Sequence, residues 1–125
     1  MRKKILPALL VLLTISLYPP LIQAGPVEWR EVHATAEGKQ WWDVGSLHLN
    51  KEGQRIVLSR FIPTVADNEV PQPGSLFVME IDCAQRLFRD TSVNGLPRPF
   101  ARWELDGGDR LISGVIDDVC NINLS

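Results

Sequence analysis

The sequence predicts an α+β domain: an antiparallel, curved sheet of five or six strands, with a C-terminal helix packed on one face and tethered there by a disulfide. Three observations predict it. Short segments of alternating apolar and polar residues recur along the chain, joined by connections too short for parallel crossovers. The last part of the chain changes to a helical period. The two cysteines, Cys83 and Cys120, stand at the end of one strand and at the end of that helix.

The domain begins after an expected export segment. Arg2, Lys3 and Lys4 form a basic start, Ile5 to Leu17 is an apolar run, Pro19 and Pro20 break it, and Ile22-Gln23-Ala24 reads as a cleavage tripeptide. This is the layout of a secretory signal peptide over residues 1–24. A spanning helix needs roughly 20 apolar residues, more than this run offers, so no membrane span is expected once the signal is removed. Residues 25–125 then form a single domain. Localisation is expected to be periplasmic or secreted, and the residue directly after Ala24 is Gly25, not a cysteine that could carry a lipid.

Ten basic against fifteen acidic residues leave the part after Ala24 at about −5. This balance, with its scattered arginines, argues against nucleic acid and anionic membranes as partners.

The strands follow in order. Val27 to Ala34 and Lys39 to Val44 flank a turn at Glu37-Gly38 and read as a hairpin. Ser46 to Leu49 alternates and ends in the turn Asn50-Lys51-Glu52-Gly53. Gln54 to Ile62 is rich in β-branched and apolar residues. Pro63 to Gly74 is a polar, proline-bearing loop. Ser75 to Cys83 places Phe77, Met79, Ile81 and Cys83 on one wholly apolar side, and Leu76, Val78, Glu80 and Asp82 on the other. Arg86 to Val93 pairs with it through a tight turn. Asn94-Gly95 is a hairpin signal, but Pro97 and Pro99 argue against a regular strand after it. Phe100 to Leu105 alternates and is expected as a strand, with Trp103 in the core; Trp29 is expected there too.

Leu111, Ile112, Val115, Ile116, Val119 and Cys120 fill one half of a helical wheel. Asp106 or Asp109 can cap its start. Gly114 falls on the polar half. Cys120 lies at the edge of the apolar half, and Cys83 is on the core side of its strand. In an oxidising compartment the two are expected to bridge; a shared metal or two free thiols are the alternatives.

Candidate chemistry is sparse. His33 and His48 read as surface or edge residues, with a metal site at Asp43 as the competing reading. No nucleophile elbow, phosphate loop or metal-ligand spacing occurs, so no cofactor, no metal and no catalytic residue are expected. The pairs Glu80/Asp82 and Asp117/Asp118 read as solvated surface. Trp41 and Trp42 are the candidate binding surface: adjacent strand residues point to opposite sides, so one belongs to the core and the other to an exposed or rim position.

The order of "EWREV", "WWDVGSLHLNKEGQRIVLSRF", "MEIDC", "RLFRD" and a terminal "DDVC" resembles the surface-adhesin protein E-like family of bacterial envelope proteins. The shared features are Trp29, the aromatic-x-Asp-x-x-Ser element of Trp41 to Ser46, Asp82-Cys83 and Val119-Cys120. The resemblance implies an antiparallel sheet with a disulfide-tethered C-terminal helix, and an exported, non-enzymatic protein. It also implies a protein partner, and a homodimer as one form of self-association. Three readings follow: an envelope binding module that recognises another macromolecule, a periplasmic structural or assembly factor without adhesin activity, and, weakest, a small hydrolase.

Overall fold

The computed structural model describes residues 25–124. The expected signal peptide lies outside the described residues. The elements are β1 (Trp29–Glu31), β2 (Gly38–Asp43), a 3-10 turn (Val44–Ser46), β3 (His48–Leu49), β4 (Arg55–Pro63), β5 (Ser75–Asp82), β6 (Leu87–Val93), β7 (Leu96–Pro97) and α1 (Arg110–Asn121). All the strands pair antiparallel in one seven-stranded sheet ordered β1-β2-β4-β5-β6-β7, with β3 also on β4.

β4 is the centre of the sheet. One of its edges carries β5 from Arg55 to Phe61. The other is shared end to end: β2 pairs with Ser59 to Pro63 and β3 with Arg55 and Ile56. The 3-10 turn fills the gap between β2 and β3. Ser46 Oγ accepts from Leu58 N at 2.9 Å and donates to Asp43 O at 2.8 Å, so a hydroxyl replaces the missing ladder acceptor. Asp43 is 3% exposed, and its Oδ1 accepts from Glu28 N at 2.8 Å and Gly45 N at 3.0 Å. Gly45 has to be glycine, because a Cβ there would lie 2.0 Å from Pro26 O. The segment before β1 is thus pinned to the end of β2. Asp43→Ala removes the acceptor of two backbone N–H groups and is expected to cost about 2 kcal/mol in urea unfolding, with Asp43→Asn losing less because it keeps one acceptor oxygen.

The helix follows its predicted pattern. Asp109 is the N-cap, its Oδ1 accepting from Leu111 N at 2.9 Å and Ile112 N at 3.1 Å. Leu111, Val115, Ile116 and Val119 are buried against Trp42, Val57, Met79 and Ile81 in one core. Gly114 departs from expectation. It faces Val32 rather than solvent, and an added Cβ would come within 3.1 Å of the valine's Cβ. The glycine costs helix propensity but lets the helix approach the end of the first strand.

Two devices hold the far end of the helix. Cys83 and Cys120 are bridged, with Cα atoms 5.7 Å apart. Arg55, from β4, donates through Nη1 to Val119 O at 2.7 Å and also to Ile122 O. A cation thus meets the last helical carbonyls, where the helix dipole favours it. The helix has no basic residue of its own in its last turn.

Several expectations are corrected. Phe100 to Leu105 is not a strand; Glu104 alone makes an isolated bridge to Phe88, and Phe100 is 92% exposed. Pro97 and Pro99 explain why: they remove donors and fix φ just where a ladder would have to continue. The Asn94-Gly95 turn does form, with φ of 51° and 81°, and returns the two-residue edge strand β7. Glu80 is not solvated. It is 8% exposed and paired with Arg89 at 2.7 Å. Arg89 in turn lies 4.3 Å from the centroid of the Trp103 ring, so Trp103 covers an ion pair on the outer side instead of entering the core. Trp29 is likewise outside the core, at 37% exposed.

Candidate functional site

The residue types that usually carry chemistry are placed as follows. His33 is exposed, and His48 Nδ1 is 2.8 Å from Ser46 O. Asp43, the acidic residue weighed beside the histidines, holds the N-terminal segment as described. Among the described residues no three His, Cys, Asp or Glu side chains gather as a metal site. Asp82 accepts from Gln85 N and Gln85 Nε2, closing the β5–β6 turn. Asp117 forms a surface ion pair with Arg86 at 2.8 Å. Asp118 accepts from Trp42 Nε1 at 3.1 Å, so it satisfies the one polar atom of a buried indole instead of being only a solvated charge.

The tryptophan pair divides across the sheet as alternation requires. Trp42 is fully buried and has no surface to offer a partner. Trp41 is half-buried on the opposite face. Its neighbours come from three strands: Glu31, Trp41, Arg60 and Leu76 lie in one lateral row through their registers. The Arg60 guanidinium stands 5.9 Å from the Trp41 ring centroid. Trp29, paired with Asp43, belongs to the same face two positions along β1. Leu58, Ile62 and Val78 share it and are half-buried, while Leu76 is 39% exposed.

The helix lies against the other face, with the core side chains Trp42, Val57, Met79 and Ile81. At the β5–β6 end the outer face is closed by Glu80, Arg89 and Trp103. Over β1, β2 and β4 it remains open. An indole stacked with an arginine and bordered by aliphatic side chains is the composition of an interface core rather than of a solvated sheet face. The sequence singled out Trp41 and Trp42; Trp29, Arg60 and Leu76, which lie beside Trp41 on this face, were not among its candidates. Trp29 shares its side of β1 with Glu31, and that parity was the available signal. Arg60 and Leu76 join the row only through strand register.

The model of the surface adhesin-E family matches residues 30–125. The chain belongs to the surface adhesin-E family. The matched part of this adhesin-E chain contains β2 to β7, the helix, both cysteines and the Trp41–Arg60 pair. Comparison with curated proteins gives no match, and neither does comparison with solved structures. The short motifs that first suggested the family are structural in this adhesin-E chain: Asp43 and Ser46 knit the β2–β3 junction, Asp82 closes a turn, and Cys83 and Cys120 tie the helix down.

Proposed function

We propose that this adhesin-E protein is exported to the bacterial envelope or beyond and binds a protein partner with the open sheet face around Trp41 and Arg60. The observation that carries the reading is the band of Trp29, Trp41, Arg60 and Leu76, on the side of the sheet that the helix does not cover. Family membership and the disulfide support an adhesin-like, exported protein. The leading basic-apolar segment is consistent with export.

The test is capture of envelope and extracellular proteins by the oxidised chain, followed by titration with the captured partner. Trp41→Ala and Arg60→Ala are each expected to weaken binding by about 30-fold, the size of a hot-spot loss. Lys51→Ala, on the exposed turn before β4, serves as the reference and is expected to change nothing. Equal binding by all three variants would remove this face from the function. Sedimentation of the same samples reports whether a second copy occupies the face.

A further inference from the structure

On the other side of the sheet, between its core face and the start of α1, the packing leaves a cleft of about 120 Å³. Its apolar walls are Phe61, Phe77 and Met79 from the sheet and Leu111 and Ile112 from the helix. Its polar lining consists of Gln40, Asp90, Asp109 and Glu37, and no lysine or arginine lines it. The space is of the same order as the roughly 150 Å³ apolar cavity that admits a benzene ring. The cleft therefore combines an apolar slot with acceptor groups of one charge sign.

Two of these groups are free to receive a ligand. Gln40 is 5% exposed and its Nε2 donates to Ser59 Oγ at 2.9 Å, while its side-chain Oε1 accepts no hydrogen bond among the described residues. Asp90 stands opposite Met79 in the β5–β6 register, two residues from the buried Phe88, so strand alternation puts it on the core face. No group among the described residues hydrogen-bonds its carboxylate, and its oxygens stay accessible. Burial raises the Asp90 pKa from 3.8 to about 6, against the pull of Arg98 and with a further push from Glu104. Since the folded value lies above the ordinary one, this group favours the fold at low pH and ceases to do so as the pH rises through 6. At neutral pH the domain thus holds a carboxylate that its own stability does not call for.

The helix N-terminus by itself would favour an anion. Asp109 reverses that preference, because its carboxylate already occupies the N–H groups of Leu111 and Ile112. Glu37 is exposed at the tip of the β1–β2 hairpin and adds a third negative charge.

We propose that this cleft binds an alkylammonium group, the alkyl stem lying against Phe61, Phe77, Met79 and Leu111 and the ammonium held by the Asp90 carboxylate and Gln40 Oε1. Such a group comes either from a lysine side chain of a partner protein or from a free alkylamine. Both have an apolar stem and a compact cationic head with three donors.

The test follows backbone amide shifts of the oxidised, exported protein titrated with n-pentylamine, Nα-acetyl-lysinamide and n-pentanol. Saturable shifts at Gln40, Met79, Asp90 and Leu111 are expected with an amine probe, about tenfold tighter than with the alcohol. Binding by Nα-acetyl-lysinamide assigns the cleft to a lysine side chain; binding by pentylamine alone assigns it to free amines. Asp90→Asn, expected to fold at least as firmly at neutral pH, should weaken amine binding about tenfold. Lowering the pH from 7.5 to 5 should weaken the parent protein similarly and leave Asp90→Asn unchanged; the charged groups around Asp90 are Glu37 and Asp109 in the cleft and Arg98 and Glu104 beside it. Equal affinity for pentanol, indifference to Asp90→Asn, or no saturable shift at the cleft would overturn the proposal.

Discussion

Replacing Cys83 and Cys120 by alanine is expected to lower stability by about 4 kcal/mol, the loop-closure entropy for a bridge across 37 residues. Within a total of roughly 5–15 kcal/mol for a domain of this size, that loss separates a folded protein from a marginal one. The bridge acts at the helix C-terminus, where Arg55 also binds Val119 O. The variant should therefore keep its helix docked in the folded state, with the loss appearing mainly through the freed unfolded chain. Urea unfolding of the oxidised protein, the double variant and the reduced parent measures this. Equal midpoints for the three would show that noncovalent packing alone sets the architecture.

Trp42→Ala is expected to cost about 3–5 kcal/mol, the range for emptying a large buried aromatic site. Trp42 is fully buried and packs under the helix, with the Arg30 guanidinium 5.5 Å from its ring centroid. Its indole N–H reaches Asp118 across 76 residues of chain, joining the second strand to the last helical turns. Trp42→Phe keeps most of the apolar contact and removes the donor, so a loss well below that of alanine is expected. Denaturation midpoints for the two variants separate packing from hydrogen bonding. A Trp42→Ala loss under 1 kcal/mol would place the centre of the core elsewhere.

Much of this was legible in local pattern. The helix runs over Arg110–Asn121, against an apolar pattern read from Leu111 to Cys120. Asp109, one of two proposed caps, is the N-cap. β4, β5 and β6 follow their predicted ranges to within about two residues. These elements were readable because each residue's side of a helix or strand is set by backbone periodicity. The errors have the same origin. Trp103 and Glu80 were assigned by alternation as though one face of the sheet were dry and the other wet. The chain after β7 instead returns along the edge of β6, where Glu104 bridges Phe88, and Arg89 carries Glu80 under the indole of Trp103. Gly114 was read from the wheel as solvent-facing, and only the path of Val32 shows why a side chain has no room there.

By itself the sequence determined the fold class, the place of the helix, the two ends of the covalent tether and the division of Trp41 and Trp42 between opposite faces. Those properties follow from 2.0- and 3.6-residue periods and from the chemistry of two thiols in an oxidising compartment. The tertiary structure decided the rest: that Arg60 and Leu76 fall beside Trp41, that Arg55 caps a helix 64 residues away, and that Asp90 turns into a cleft beneath Asp109. The physical reason is register. Which residues meet across a sheet depends on strand pairing, which leaves no periodic mark in the chain.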